Sequence, residues 1–451
     1  MMSDRDRGII PEVGPIRNFQ APSVISEKLD NGLKIKVSRA PQVPVVTVSL
    51  VLQAGEDVLG SDSAGLAVLT GDSLEGGTKK WSGSELALQL ENNGTGLSVD
   101  TDWDCTTVSL SCLADRLDTV LDVFAEVILN PLFPEDEVSR FVNQELALIE
   151  QRKMNPGSIA TNRIRKMIYG DMPYGRPLGG TEESLANINS TTVTDFWKER
   201  YVPGGAGLVV VGDVDMSDIK GLASKYFSDW KGAVVPESVS SLESARNPKK
   251  MFLVDRPGSV QSEIRIGHIG QDRLTQDYFS LIVANTVLGG AFTSRLNANL
   301  REKNGFTYGV RSSFQYRRGA GPWGVSTAVG TDVTADAVRE AVFEVEKFVK
   351  EGPSQEEIES ARDYIAGVFP LRFETTDHIA SHVVNTLVYG LPDDYYQSHR
   401  EKVRMVTQED VRQAVERCIK PDEMTIVVVG DADSVRDPLS DLGWGELEIL
   451  E

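Results

Sequence analysis

Two residues with donor groups suited to chemistry on a peptide, Arg301 and Tyr308, lie seven positions apart in one segment of the chain. The segment runs from Thr286 to Phe314 and reads TVLGGAFTSRLNANLREKNGFTYGVRSSF. A guanidinium and a phenol both donate hydrogen bonds, so such a pair can hold a peptide carbonyl and the oxyanion that forms from it. The elements that carry the two side chains decide whether they are placed to do so.

Local signals put Arg301 near the end of a helix and Tyr308 on the strand that follows. The helix is predicted to begin behind Thr293 or Ser294, and Asn304-Gly305 is a typical stop signal. The residues after it alternate in polarity, which predicts a strand that includes Tyr308. The spacing alone favours an ordinary structural interpretation, in which Arg301 is a surface cation at a helix C-terminus and Tyr308 belongs to the core.

The same segment resembles the second half of the pitrilysin, insulysin and mitochondrial processing peptidase family of zinc metallopeptidases. The family phrase SRLxxxLRxKxGxxY matches the residues from Ser294 to Tyr308. In the family this phrase supplies an Arg and a Tyr that reach the peptide being cut. The resemblance therefore implies that Arg301 and Tyr308 bind substrate and stabilise the transition state.

Length and composition describe a folded protein of more than one domain. The chain has 451 residues, of which 40% are hydrophobic and 25% are charged. This is too long for one ordinary core, and no apolar run reaches the roughly 18 residues of a membrane span. The N-terminal sequence MMSDRDRGIIPEVGPIR has no apolar signal region, and its acidic residues argue against a mitochondrial transit peptide. We expect a cytoplasmic location.

The net charge argues against nucleic-acid binding, and the cysteine content indicates free thiols. The formal net charge of −21 argues against a protein that binds nucleic-acid phosphates. It is compatible with basic peptide substrates, although a charged, solubilising surface explains it more simply. Cys105, Cys112 and Cys418 are odd in number and show no CxxC spacing, which is typical of free thiols in a reducing compartment.

The second half of the chain repeats the first weakly. The phrase VVVGDVD at Val209–Asp215 returns as VVVGDAD at Val427–Asp433, an offset of 218 residues. The sequence predicts an α+β fold with two homologous lobes, each a mixed, mainly antiparallel sheet with helices packed on it. The predicted divisions are an N-terminal tail at 1–21, a first lobe at 22–231, a linker at 232–249 and a second lobe at 250–451. The resemblance implies the same duplicated lobe and covers nearly all of residues 22–449.

The first lobe keeps the frame of the family's metal motif without its chemistry. Catalytic members carry HxxEH in a phrase like GLAHxxEHxxxxGT, where two histidines bind zinc and the glutamate activates water. The matching phrase at Gly65–Thr78 is GLAVLTGDSLEGGT. Val68 and Asp72 stand at the histidine positions, and Gly71 stands at the glutamate position. We therefore expect no catalytic zinc in this chain.

Two other groups of side chains include possible metal ligands. The family's third ligand, a glutamate on a later helix, should fall near Ile149, between Glu145 and Glu150, and neither is assigned a metal role. His378 and His382 would share a helix face, but Ser381 stands at the base position and no third ligand is evident. Surface or partner-facing histidines explain this pair better. The sequence predicts no cofactor of this chain's own.

The resemblance implies a subunit role. The family includes paired subunits in which one carries HxxEH and the other only the Arg and Tyr. We interpret this chain as the substrate-binding, non-catalytic subunit of a heterodimeric zinc metalloendopeptidase, inactive alone. Arg301 and Tyr308 would act in trans at the zinc site of a homologous HxxEH-bearing partner, on an unfolded peptide. The alternatives are a structural or scaffold member of the family and a homodimeric peptide-binding protein with no peptidase activity.

Overall fold

The computed structural model describes residue 14, residues 18–232 and residues 249–450. Most of the predicted tail at 1–21 and of the predicted linker at 232–249 therefore lies outside the described residues. Phe19, which is described, packs against the rings of Phe369 and Phe373. Within the described residues, no helix is both long enough and apolar enough to cross a membrane.

The first sheet has the strand order β1-β2-β6-β3-β5-β4. Only β2 and β6 pair in parallel, and the other neighbours are antiparallel. Val-rich β6 is buried on both faces, as expected of a strand with helices on each side. The six strands in the described part of this lobe are β1 (Val24–Lys28), β2 (Lys34–Arg39), β3 (Val45–Leu52), β4 (Ser98–Thr101), β5 (Thr106–Leu113) and β6 (Gly207–Gly212).

Helices cover the inner face of this sheet and carry the metal-motif phrase. The phrase begins on α1, whose apolar residues pack into the lobe's core with those of α3 and α7. The α-helices in the described residues of the lobe are α1 (Leu66–Asp72), α2 (Gly83–Asn92), α3 (Leu117–Leu129), α4 (Glu135–Met154), α5 (Pro156–Tyr169), α6 (Glu182–Leu185), α7 (Ser190–Arg200) and α8 (Met216–Phe227).

The second sheet repeats this plan with the order β12-β7-β11-β8-β10-β9. Strands β7, β11 and β12 pair in parallel, and the remaining pairs are antiparallel. As described, its strands are β7 (Lys250–Asp255), β8 (Gln261–Ile269), β9 (Val310–Phe314), β10 (Pro322–Gly330), β11 (Thr425–Gly430) and β12 (Leu447–Leu450). Strand β11 follows β6 at the offset of 218 that the sequence repeat shows. The predicted α+β architecture of two lobes with mixed sheets is confirmed, and each sheet has six strands.

The helices of the second lobe include two π-helical segments, Thr286–Gly290 and Asn297–Lys303. Such segments are rare and are frequently found at functional sites. The α-helices described in this lobe are α9 (Tyr278–Asn285), α10 (Thr334–Glu351), α11 (Gln355–Val368), α12 (Thr376–Val388), α13 (Tyr395–Met405), α14 (Gln408–Cys418) and α15 (Ala432–Ser440).

The lobes are joined by an exchange of helices. Helix α5 of the first lobe packs on β8 and β11 of the second, where Ile164 meets Val427 and Val429 in one apolar cluster. Helix α12 of the second lobe packs in the same way on β3 and β6 of the first, where Val383 meets Val209. Each lobe therefore supplies the helix that covers the outer face of the other lobe's sheet.

Candidate functional site

Arg301 lies on the second π-helical segment of the second lobe. Its side chain is 30% exposed, and its guanidinium carbon lies 4.0 Å from the ring centroid of the exposed Phe292. The Nη1 atom approaches the carboxylate of Glu302 to 3.3 Å but makes no hydrogen bond within the described residues. The guanidinium is therefore held by an aromatic face; Nη1 is buried, and only the exposed 30% of the side chain can meet a ligand.

Tyr308 stands in the loop between that helix and β9, and its side chain is 97% exposed. The interpretation of Tyr308 as a core residue is wrong. The strand predicted to contain it begins only at Val310. The reason is local: the Gly309 N–H donates to the Thr307 hydroxyl, whereas a strand would use that N–H in its ladder.

The loop that carries Tyr308 is nevertheless anchored. The Thr327 hydroxyl on β10 donates to the Gly309 carbonyl at 3.1 Å and lies 3.0 Å from the Thr307 hydroxyl. The Asn297 side chain binds both backbone groups of Val310, accepting from its N–H at 3.1 Å and donating to its carbonyl at 2.9 Å. The backbone around Tyr308 is thus fixed while its phenol faces solvent, an arrangement suited to presenting a donor to something outside the chain.

The metal-motif helix α1 is held in place by a buried acid. The Glu56 carboxylate accepts hydrogen bonds from the backbone N–H groups of Gly65, Ala67 and Val68 at 2.9–3.2 Å. Burial raises the pKa of Glu56 to about 7, although these hydrogen bonds act in the opposite direction. The family frame of α1 is therefore preserved by a structural cap, with no reactive group involved.

The three substituted motif positions occupy a closely packed surface. Gly71 lies against β4, and a Cβ atom there would stand 2.8 Å from Val99 Cγ1 and 2.9 Å from Thr101 Oγ1. Val68 and Asp72 are half-buried on the same helix. Burial, followed by the negative charges of Glu145 and Glu75, raises the pKa of Asp72 to about 6. A side chain at the position of the family's catalytic glutamate would have to displace Val99 or Thr101.

Both carboxylates that flank the expected third-ligand position are already engaged. Glu145, buried on α4, accepts a hydrogen bond of 2.5 Å from the Arg152 guanidinium. Glu150 is 64% exposed and pairs with Lys153 at 2.8 Å. Val68 is apolar, Asp72 is a single carboxylate, and Glu145 and Glu150 are ion-paired. These side chains do not form a zinc site. The described residues contain no group of three or more His, Cys, Asp or Glu side chains that could hold a metal ion.

Of the two histidines on α12, only His382 has a packing role, so the interpretation as a surface or partner-facing residue is wrong for His382. His382 stacks on Phe373 with ring centroids 4.5 Å apart and lies 4.6 Å from the ring of Tyr396. Burial, followed by the positive charge of Arg372, lowers the pKa of His382 to about 4. His378, one turn away, is exposed. His382 therefore belongs to an aromatic cluster of the second lobe.

The predicted residues form two separate groups. Arg301 and Tyr308 share one helix-loop-strand unit of the second lobe, whereas Val68, Gly71 and Asp72 lie on α1 of the first. No hydrogen bond or ion pair joins the two groups among the described residues. The ion pair of Glu145 with Arg152 and the packing of Val99 on Gly71 were not predicted, because nothing in the local sequence indicates that these residues meet.

Two protein-family models match the chain. Residues 34–182 match the model described as "Insulinase (Peptidase family M16)", and residues 187–365 match the model "Peptidase M16 inactive domain". The first match contains the metal-motif helix, and the second contains Arg301 and Tyr308. The two matches together account for most of the chain.

Individual relatives agree with the family models. The chain is 22% identical over 425 residues to the "Non-peptidase homolog YmxG" of Helicobacter pylori, which covers 93% of this chain and 97% of the relative. It is 23% identical over 347 residues to the "Uncharacterized zinc protease YmxG" of Bacillus subtilis, covering 77% of this chain and 84% of that protein.

Two solved structures have the same fold. A crystal structure of a peptidase M16 inactive domain from Pseudomonas fluorescens is 27% identical and superposes with a TM-score of 0.83, covering 90% of this chain and 98% of the other. A protease from Helicobacter pylori superposes with a TM-score of 0.85 at 19% identity, covering 91% of this chain and all of the other. The chain therefore belongs to the insulinase family of peptidases, M16, as a non-catalytic member with Val68, Gly71 and Asp72 at the metal-motif positions.

Proposed function

We propose that this chain is the substrate-binding subunit of a heterodimeric zinc metalloendopeptidase. It would bind an unfolded peptide and present Arg301 and Tyr308 to the zinc site of a homologous, HxxEH-bearing partner. Zinc would belong to that partner, and this chain would contribute donors without a metal of its own.

The observation that carries the proposal is the exposure of Tyr308. A tyrosine of a folded protein is usually at least partly covered, because its ring is apolar. Here the ring is 97% exposed on a loop whose backbone is fixed by Thr327 and Asn297. An anchored, uncovered phenol is suited to a ligand or partner that approaches from outside.

The packing of the first lobe supports the proposal that the zinc site belongs to the partner subunit. Gly71 is packed against β4, and the two glutamates that flank the expected third-ligand position, Glu145 and Glu150, are paired with Arg152 and Lys153. A chain with this arrangement needs another subunit for hydrolysis. A purely structural role remains the competing function, and it requires neither an exposed Tyr308 nor an available guanidinium at Arg301.

Reconstitution tests the proposal. The purified chain is mixed with an HxxEH-bearing M16 protein from the same organism, and zinc content, assembly and cleavage of a long unfolded peptide are measured. We expect no cleavage by this chain alone and zinc-dependent cleavage by the pair, with one zinc per heterodimer. A partner that is equally active without this chain, or a pair that does not associate, would contradict the proposal.

A further inference from the structure

A cavity of about 200 Å³ lies between α5 and the outer face of the second sheet. One wall is a single face of α5, formed by Thr161, Ile164 and Ile168. The opposite side is formed by β8, β9 and β10. At roughly 30 Å³ for each water, the volume corresponds to six or seven water molecules, which is enough for one amino-acid side chain.

Two paired glycines on neighbouring strands line the cavity. Gly267 of β8 pairs directly with Gly324 of β10, and both line the cavity. A Cβ on Gly267 would lie 2.5 Å from the Trp323 carbonyl oxygen, and one on Gly324 would lie 2.9 Å from that of Ile266. The two strands therefore approach too closely for a Cβ at either position, and neither residue projects a side chain into the cavity, as is common where another group approaches the backbone closely.

Arg165 supplies positive charge to this cavity. Its Nη2 atom has one weak contact, 3.4 Å to the Gln315 side chain, and its guanidinium carbon lies 4.9 Å from the ring centroid of Trp103. Within the described residues no carboxylate lies at ion-pair distance from it. Burial, followed by the neighbouring charge of Arg317, lowers the pKa of Arg165 to about 10, so a further anion would be favourable.

Arg265, the second arginine that lines the cavity, has its donors engaged. Arg265 is paired with Glu263 at 2.7 Å and also donates to Thr161 and to the Gly157 carbonyl. Its donors are therefore used within the fold. Arg165 has the unused hydrogen-bonding capacity, and Ser326 and Gln315 add neutral polar groups to the same cavity.

The cavity lies along the sheet from Tyr308. Val310, two residues after Tyr308, pairs with Thr327 of β10. Gly324 is three residues further along that strand, which corresponds to about 10 Å. An extended peptide held at Tyr308 would reach the cavity after about five residues.

We propose that the cavity between α5 and the Gly267–Gly324 pair binds an acidic side chain of the peptide substrate, with its carboxylate on Arg165. This inference rests on the peptide-binding function proposed above and adds a substrate preference to it. A charge-assisted, bidentate contact with a guanidinium in a half-buried cavity is stronger than the same contact at an exposed arginine.

Fluorescence anisotropy with labelled peptides tests this preference. The probes are 12-residue unstructured peptides with amidated C-termini, in which one Glu is placed at each position in turn and compared with Gln at that position. We expect one position, roughly five residues from the bond that the reconstituted enzyme cleaves, at which Glu binds about tenfold more tightly than Gln, the effect of one hydrogen bond to a charged group. Higher salt should reduce the difference.

Three variants separate the cavity from general electrostatics. Arg165→Gln should remove the Glu-over-Gln preference, and Ser326→Leu should remove it by filling the cavity while Arg165 is retained. Lys166→Gln is the matched control, because Lys166 is the exposed neighbour on α5, does not line the cavity and pairs with Asp171. It should leave the preference intact. If Arg165→Gln does not fold, Ser326→Leu and the salt dependence still decide.

The outcomes distinguish this inference from the proposed function. If peptides bind but Glu and Gln are equivalent at every position, the cavity inference is wrong and the peptide-binding function stands. If the wild-type chain, with or without its partner, binds none of the peptides, both are wrong.

Discussion

Gly71 of the metal-motif helix lies directly against Val99 of β4, and a Cβ at Gly71 would come within 2.8 Å of Val99 Cγ1. Real side chains do not approach so closely, and the neighbouring Thr101 hydroxyl blocks the same space. Helix α1 and strand β4 are thus packed as if position 71 must be a glycine. The loss of the catalytic glutamate is built into the packing of the first lobe.

Restoring the family motif should therefore not create a zinc site. We expect the triple variant Val68→His, Gly71→Glu, Asp72→His to hold well under one zinc per chain and to lose about 1–3 kcal/mol of unfolding free energy through overpacking at position 71. Metal analysis after dialysis and urea unfolding give the two quantities. The double variant that retains Gly71 is the control and should be close to wild type in stability. Stoichiometric, chelator-sensitive zinc in the triple variant would contradict this prediction.

Asp104 joins the two lobes through polar contacts. One carboxylate oxygen accepts from the Tyr174 hydroxyl at 2.8 Å, and the other accepts from the Arg318 backbone N–H of the β9–β10 loop at 2.9 Å. The Tyr174 hydroxyl also accepts from the Gly319 N–H at 3.1 Å. One buried acid and one buried phenol thus connect a loop of the first lobe to a loop of the second.

Removing Asp104 should cost more than removing the tyrosine hydroxyl alone. We expect Asp104→Ala to reduce the free energy of unfolding by about 2–3 kcal/mol, because buried donors lose their acceptor, and Tyr174→Phe by about 1 kcal/mol. The double variant should lose less than the sum. Urea denaturation of the four proteins measures the coupling, and Asp100→Ala on the exposed side of β4 is the control. Strict additivity would show that the contact between Asp104 and Tyr174 contributes nothing.

The buried His399 side chain should lower the stability of the protein in acid. It stacks on Phe369 with centroids 4.6 Å apart, and its Nδ1 has no hydrogen-bond partner in the described residues. Burial, followed by the positive charges of Arg372 and Arg273, lowers the pKa of His399 to about 3. Between its unfolded pKa near 6.5 and this folded value, only the unfolded chain binds a proton, so falling pH favours unfolding.

Replacing His399 should therefore change the pH profile more than the stability at neutral pH. We expect wild type to lose about 2 kcal/mol more than His399→Phe between pH 7 and pH 5. The free energy of unfolding is measured at several pH values for both proteins. The difference between the two profiles separates His399 from Glu56, whose raised pKa increases the free energy of unfolding as the pH falls. His378→Gln, at an exposed position, should keep the wild-type slope. Parallel profiles for wild type and His399→Phe would exclude the effect.

Periodicity and turn signals predicted most of the fold. Strand β3, at Val45–Leu52, is a continuous Val-rich apolar run, and the Val-rich repeat at an offset of 218 corresponds to β6 and β11. These features depend on local apolar patterns, which a single sequence displays directly. Helix α12 was not assigned from its period, because its apolar face packs on the other lobe, and no local signal identifies that surface.

The sequence identified the residues of the candidate site but predicted their exposure and contacts poorly. The family phrase identified Arg301 and Tyr308, and their catalytic roles stay a prediction. The exposure of Tyr308 contradicted the propensity of tyrosine for partly buried positions. The π-helical turn under Arg301 and the hydrogen bonds of Asn297 to Val310 depend on tertiary contacts that no residue spacing expresses. The same is true of Arg165, which becomes a candidate only because Gly267 and Gly324 meet across two strands.

Tyr308→Phe decides between a peptidase subunit and a scaffold. The ring is retained and its hydroxyl makes no contact required by the fold, so folding and assembly should be unchanged. If the phenol stabilises charge at the scissile carbonyl, its loss should reduce kcat of the reconstituted heterodimer on the order of a hundredfold, as for one oxyanion donor. Tyr364→Phe is the matched control, because Tyr364 is also exposed on the second lobe, at 54%.

Arg301→Ala completes this experiment. It should lower kcat/KM as well, with weaker substrate binding if the guanidinium also contacts the ground-state peptide. The double variant with Tyr308→Phe should lose less than the product of the single effects, because both donors would serve one carbonyl. The assay uses a heterodimer of verified zinc content and a long unfolded peptide. Full activity of Tyr308→Phe in an intact heterodimer would refute the trans-acting role, and the chain would then be a structural partner whose exposed tyrosine has another use.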